Sequence, residues 1–216
     1  MGLTATTVRR AIAGHRPVDP PALPGRTNHL DCGVLVPLMW RPRPTVLLTV
    51  RSVTLRDHGG EVSFPGGKRE DGDPDLAATA LRETREELGV EADEVFGRLS
   101  SVPLYTSDHR IFPYVAGLTE QAMTPNPDEV SEVLELELEA LLSLPKVEAI
   151  PYNIDGSDQL APVFPTAGHL IYGGTAIALY ELLCAVSLEL DRAPPTLTAG
   201  RYGWNDVLPA GFEVDV

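Results

Sequence analysis

Two strongly apolar runs, "GVLVPLMW" and "TVLLTV", stand on either side of "RPRP", and this pattern predicts two strands joined by a turn. Upstream, residues 1–16 predict a short, weakly amphipathic helix that "RPVDPPALPG" ends and continues as an extended arm. After the strands comes a glycine-rich loop, "DHGGEVSFPGG", and then a second helix. Asp73-Pro74 opens that helix, with an N-cap acceptor followed by proline at the first helical position, and Gly89 stops it. Strand patterns return over 93–103 and 111–118. "EVSEVLEL" at 129–136 alternates as a strand, ahead of a short helix in "LEALLSL". Further β-type runs near 146–153 and 161–172 precede "TAIALYELLCAVSLEL", a helix apolar around its circumference and so expected to be buried. Strands and helices mix without regular βαβ alternation, which predicts an α+β fold, a mixed sheet with helices outside it.

A chain of 216 residues suits one domain with additions, and 43% hydrophobic with 22% charged residues is the profile of a globular protein with a full core. The net charge of −14 argues against electrostatic binding to nucleic acid or to an anionic membrane. An anionic substrate would need cations at its site to offset that field. Cys32 and Cys184 lie far apart among apolar neighbours and outside any CxxC pattern, which predicts two buried, reduced thiols and no zinc site. No run reaches the roughly 18 apolar residues of a membrane span. The N-terminus lacks a secretory h-region and "FEVDV" is not a peroxisomal address, so a cytoplasmic location is expected.

The chemistry concentrates on the helix of residues 74–88. At about 100° per residue, Ala77, Ala80, Leu81, Thr84 and Leu88 share one arc, the expected buried face. Glu83, Glu86 and Glu87 share the neighbouring arc, which is unfavourable by itself. Glu83 and Glu87 are a like-charge i,i+4 pair costing roughly 0.2–0.5 kcal/mol, and Glu86 and Glu87 sit at the negative end of the helix dipole, adding about 0.3–1 kcal/mol each. Either Arg82 relieves a solvated acidic face by pairing with Glu86, or a divalent cation relieves all three carboxylates. Clustered hard oxygen ligands of this kind suit Mg²⁺ or Mn²⁺. Gly66 and Gly67, just upstream, would let backbone approach a ligand or metal closely.

The series Gly67, Asp73, Arg82-Glu83-Thr84, Glu86-Glu87 and Gly89-Val90 resembles the Nudix box, the signature of enzymes that hydrolyse nucleoside diphosphates linked to another group. It departs from the usual pattern in having aspartate for the first glutamate, one extra residue before the arginine, and Thr84 where an aliphatic residue is typical. Upstream, "LLTVRSVTLRDHGGEVSFPGG" is similar to the signature of the coenzyme A diphosphatases within that superfamily. Leu47, Leu48, Thr49, Ser52, Arg56, Gly60, Phe64, Pro65, Gly66 and Gly67 match, and Arg51 replaces a threonine. "FPYVAGL", "PNPDEVSEVLELEL" and "HLIYGGTAIAL" extend the resemblance over roughly 30–190. It divides the chain into an N-terminal arm (1–29), a Nudix hydrolase domain (30–192) and a C-terminal extension (193–216) packing on the domain or on a partner subunit.

The resemblance implies an α/β/α sandwich around a mixed sheet and hydrolysis of coenzyme A or its derivatives to 3′,5′-ADP and 4′-phosphopantetheine. Mg²⁺ or Mn²⁺ would be held by Glu83, Glu86 and Glu87, with Arg82 orienting a glutamate and Asp73 supporting the metal site. The general base would be a box glutamate or Glu129, whose other reading is an exposed edge charge. Arg51, Arg56, Lys68 and Arg69 flank the glycine-rich loop as candidate cations for the substrate's 3′-phosphate, with Gly66 and Gly67 beside them. His58 is either a phosphate contact or a turn residue. Alternatives are a Nudix diphosphatase of ADP-ribose, NADH or dinucleoside polyphosphates, and a non-catalytic nucleotide-sensing module. The partner is a small nucleoside diphosphate derivative, with a homodimer possible through the terminal segments.

Overall fold

The structure, a computed structural model, describes residues 2–154, 156–166 and 168–208. In chain order it runs α1 (Ala5–Gly14), β1 (Leu30–Trp40), β2 (Thr45–Arg51), β3 (Val62–Ser63), β4 (Gly66–Lys68), α2 (Leu76–Leu88), β5 (Glu94–Arg98), β6 (Val102–Pro103), β7 (His109–Thr119), β8 (Val130–Glu137), α3 (Leu138–Leu142), β9 (Lys146–Ile154), β10 (Ser157–Thr166), β11 (His169–Ile171), α4 (Gly173–Glu189) and β12 (Thr196–Ala199). The central sheet has the order β3-β2-β1-β7-β5, with β4 on β1, β6 on β7 and β8 on β2. It is mixed, because β1 and β7 run parallel while the other pairs are antiparallel.

Alternation along β1 builds the layers. Val34, Val36 and Leu38 turn to one face and join α1 and α4 in the main core. Leu35 and Met39 turn to the other and meet Ala80 and Leu88 of α2. The sheet is therefore covered by helices on both faces, as the α+β sandwich reading expected. Gly33 sets the approach of α2, since a Cβ there would stand 2.1 Å from the Leu76 carbonyl oxygen. A second sheet, β11-β10-β9-β12, closes over Ile150, Val163 and Val207.

Four sequence expectations need correction. Helix α2 is capped by Asp75, which accepts the Ala78 N–H at 2.8 Å, and not by Asp73. Asp73 is committed elsewhere, and Pro74 lies before the helix. The buried face of α2 carries Thr79, Ala80, Thr84, Glu87 and Leu88, while Ala77 and Leu81 are only half-buried. The helix is rotated so that Thr79 reaches Asp73 and Glu87 reaches the loop. The glycine-rich stretch is not all loop, since β3 and β4 pair within it with β2 and β1. Cys32 is buried but Cys184 is half-buried; both are free thiols. Gly89 does end α2, in a left-handed conformation with φ 68°. Among the described residues no helix is long and apolar enough to cross a membrane. Of the C-terminal extension, residues 209–216 lie outside the described residues.

Candidate active site

Helix α2 presents its glutamates to the loop that β4 pins onto β1. Gly66 takes φ 154°, and a Cβ there would strike Val34 Cα at 2.6 Å, so only glycine lets this strand lie so close to β1. At Gly67 a Cβ would meet the Glu83 carboxylate, 2.5 Å from Oε1. The missing side chain is the space in which that carboxylate sits.

The three box glutamates occupy different environments. Glu87 is 3% exposed, and its Oε1 accepts the Gly66 N–H at 3.3 Å. Burial pushes its pKa up to about 7, helped by the negative fields of Glu83 and Glu129 and opposed by the Gly66 N–H and Arg51. The Glu83 side chain is 17% exposed, and its pKa is also raised, first by burial and then by Glu86 and Glu129, against the pull of Arg82. Glu86 is 50% exposed at the rim.

Arg82 organises this side of the site. Its Nη1 lies 3.0 Å from Glu83 Oε1 and 3.0 Å from Glu86 Oε2. Its Nε and Nη2 donate to both oxygens of Asp73, at 3.2 and 3.0 Å, and Nη2 also reaches the Lys68 carbonyl at 3.2 Å. Asp73 Oδ2 accepts in addition the Glu70 N–H at 3.0 Å and the Thr79 hydroxyl at 2.9 Å. These donors, Arg82 foremost, hold the Asp73 carboxyl well below the usual range. Thr84, the departure at the centre of the buried face, satisfies its hydroxyl on the Ala80 carbonyl at 2.7 Å.

Glu129 arrives through the far end of the helix. The last carbonyls of α2 have no partner inside the helix. The segment that follows β7 supplies them: Thr124 N–H donates to Leu88 O and Asn126 N–H to Glu87 O, each at 2.9 Å. Asn126 O then accepts the Glu129 N–H, and Glu129 O accepts the Ser52 N–H at 2.7 Å. This places Glu129 at the edge of β2 with its field on both Glu83 and Glu87.

The four basic candidates separate. Arg51 is half-buried at the end of β2, and its charge acts on Glu87. Arg56 and Lys68 are exposed. Arg69 donates to the carbonyls of Asp73 and Pro74, at 3.0 and 2.8 Å, and so holds the turn before α2. His58 takes a left-handed backbone, φ 60°, with Nδ1 3.0 Å from Glu61 Oε1. The sequence reading missed His109, whose Nε2 is buried without a hydrogen-bond partner. A lone histidine in "SDHRIFPY" gives no local signal, and the register of β7 sets it opposite Leu30 of β1.

Three carboxylates, two of them with the ionised form disfavoured by burial, are a donor set suited to a hard divalent cation. Among the described residues no three acidic, histidine or cysteine side chains already stand at ligating spacing. Arg82 holds Glu83 and Glu86 to itself.

The family model described as "NUDIX domain" matches residues 30–154. The "Uncharacterized Nudix hydrolase NudL" of Photorhabdus laumondii is 35% identical over 169 residues, 76% of this chain and 89% of that protein. The protein of the same name from Escherichia coli O7:K1 is 33% identical over 165 residues, 75% of this chain and 85% of its own. Among solved structures, the NUDIX domain of Shewanella oneidensis NrtR, crystallised with ADP ribose, is similar with a TM-score of 0.45 and 21% identity, covering 66% of this chain and 89% of that one.

Proposed function

We propose that this chain, which belongs to the NUDIX family, is a divalent-metal-dependent hydrolase of the diphosphate linkage in coenzyme A or its derivatives. The observation that carries the hydrolase reading is the burial of Glu87 against the Gly66 N–H, with Glu83 and Glu129 adding their charge to it. A structural face would not bury one carboxylate while surrounding it with others. The choice of coenzyme A is supported by the stretch from Leu47 to Gly67, whose residues the box alone does not require.

Glu83, Glu86 and Glu87 are the residues that would hold Mg²⁺ or Mn²⁺. When bound, the cation would neutralise the diphosphate and lower the pKa of a coordinated water. The chain's own groups do the rest. Gly66 lets β4 lie close against β1 and Gly67 makes room for the Glu83 carboxylate, while Arg51 would offer the diphosphate positive charge at the end of β2. Asp73 positions Arg82, which in turn fixes Glu83 and Glu86. Glu129 would accept a proton from the attacking water as its oxygen bonds to phosphorus. The bond from phosphorus to the bridging oxygen breaks, giving 3′,5′-ADP and 4′-phosphopantetheine.

Product analysis with Mg²⁺ or Mn²⁺ tests this reading, with coenzyme A, ADP-ribose, NADH and dinucleoside polyphosphates run in parallel. The highest kcat/KM is expected for coenzyme A. A higher value for another compound overturns the substrate, and no hydrolysis of any overturns the enzyme.

A further inference from the structure

β8 departs from regular pairing at one residue, beside the candidate site. It runs one-for-one against β2 from Thr45↔Glu137 to Val50↔Glu132, but the next pair is Arg51↔Val130. Ser131 is therefore one residue too many, a β-bulge. Its hydroxyl donates to the Val50 carbonyl at 3.1 Å, at the point where the register shifts.

The bulge reverses the alternation of β8. Leu48 and Val50 of β2 belong to the core under α1 and α4 and Leu47 to the core under α2, so Arg51 shares the α2 face. Leu134 of β8 lies in the first of these cores, and strict alternation would put Glu132 and Val130 on that same face. Glu132 obeys, with its Oε2 3.0 Å from His169 Nε2 of β11, the strand whose Ile171 enters that core. Val130 does not. Paired with Arg51, it is turned to the α2 face and is 4% exposed.

This turn of the strand fixes Glu129. Asn126 N–H donates to the Glu87 carbonyl at 2.9 Å, and Asn126 O accepts the Glu129 and Val130 N–H groups at 3.1 and 2.8 Å. Asn126 Oδ1 accepts the Asp128 N–H at 3.1 Å, and Glu129 O accepts the Ser52 N–H at 2.7 Å. The turn that carries Glu129 is thus tied at one end to the helix of the box glutamates and at the other to β2, just past Arg51. With Ser131 taken into a regular ladder, Ser131 would face Arg51 and Val130 would face Ser52. Glu129 would move one residue along β2, about 3.4 Å, and its carbonyl would leave the Ser52 N–H.

We propose that Ser131 is a positioning residue for the hydrolysis: the bulge it forms, pinned by its hydroxyl, sets Glu129 against Glu87. Ser131 is exposed on β8 and acts through the backbone, not on the substrate. The field of Glu129 on Glu87 accords with that placement. This role rests on the hydrolase reading and on Glu129 as the base, but not on the choice of coenzyme A.

The test deletes Ser131, which lets Val50↔Glu132 and Arg51↔Val130 join in one regular ladder without the bend of a bulge. Ser131→Ala and Ser131→Thr are made beside it. kcat and KM are measured on whichever of coenzyme A, ADP-ribose, NADH and the dinucleoside polyphosphates the wild type cleaves best, and amide hydrogen exchange is followed at Ser52, Val130 and Leu134. The deletion is expected to lower kcat about a hundredfold, the scale of a misplaced catalytic group, with KM changed far less. Exchange should quicken at Ser52 and Val130 while Leu134 keeps its protection. Ser131→Ala should lower kcat about two- to tenfold, the range of one hydrogen bond, and Ser131→Thr should restore it. In the deletion protein, Glu129→Gln should reduce kcat little further, because both changes remove the same contribution.

Near-wild-type kcat and exchange in the deletion protein overturn the proposal, as do losses that multiply with Glu129→Gln. Exchange that quickens equally along the whole of β8 also overturns it, since Ser131 would then serve the strand alone. If Glu129→Gln by itself is harmless, the base and with it this role of Ser131 fail, while the metal-dependent hydrolase reading stands. If no compound is cleaved, the enzyme reading fails, and the exchange pattern decides whether the bulge holds the turn. Should the deletion unfold the chain, Ser131→Ala keeps the length of β8, and wild-type kcat and exchange in it overturn the proposal.

Discussion

Asp73 lies where helix capping and site chemistry compete for one carboxylate. Next to Pro74 it has the local sequence of an N-cap, yet Arg82, Thr79 and the Glu70 N–H claim it and Asp75 caps the helix instead. Its depressed pKa makes the network pH-dependent. The folded state binds the ionised form better than the unfolded chain does, so the stabilisation is present above the unfolded pKa of about 3.9 and is lost as pH falls towards the lower folded value. Asp73→Asn should therefore lower the melting temperature at pH 7, and the gap to wild type should narrow below about pH 4. A gap independent of pH would remove Asp73's charge from the account. The glutamates give a separate test at the same scale. Glu86→Gln and Glu87→Gln should each reduce turnover by orders of magnitude at limiting Mg²⁺ while remaining folded, and near-normal turnover in either would reject it as a ligand. The sequence shows that these glutamates belong together, because their spacing is local. It does not show that Glu87 is buried while Glu86 is exposed, because that depends on contacts distant in the chain.

At the scale of elements, the site depends on how closely α2, β1 and β4 approach one another. Two glycines control this in different ways. A Cβ at Gly33 would meet the backbone of Leu76, which cannot turn aside without moving the helix. A Cβ at Gly67 would meet only the end of the flexible Glu83 side chain. Gly33→Ala should cost roughly 1–3 kcal/mol or more, the range of overpacking. Gly67→Ala should keep most of the stability and lose activity, because the Glu83 carboxylate is displaced. Thermal melts and turnover of the two variants check the contrast, and matching losses in both would contradict it. β1, β2 and α4 are legible in the sequence from their apolar runs, and the end of α2 from Gly89. β3, β4 and β12 are not, since each is two to four residues long and is made a strand by its partner. The buried face of α2 was misjudged because Thr79 and Glu87 are polar and bury through hydrogen bonds.

At the scale of the whole molecule, metal binding and folding share one balance. Burial disfavours the ionised forms of Glu83 and Glu87 and a bound cation would favour them, so Mg²⁺ or Mn²⁺ should raise the melting temperature, with about 2.7 kcal/mol expected at a hundred times the Kd. The rise should be much smaller in Glu83→Gln/Glu87→Gln, and equal rises would place the cation elsewhere. The family match over 30–154 covers these carboxylates but not the whole core that supports them. Val8, Ala11 and Ile12 of α1, and Leu179, Leu182, Leu183 and Val186 of α4, cover the face of β1 that bears Val34, Val36 and Leu38. Both helices lie outside the matched residues. A fragment of residues 30–154 would expose that face to water and keep α2 packed against a sheet covered on one side only. It should lack a cooperative thermal transition, and a sharp one would show that the matched segment is self-sufficient. Ile12→Ala in the full chain tests the same dependence more gently. Ile12 is 4% exposed, and its truncation should cost about 2–5 kcal/mol. A loss of that size would make the N-terminal helix part of the folding unit that holds the site, although it packs on the face of the sheet opposite α2.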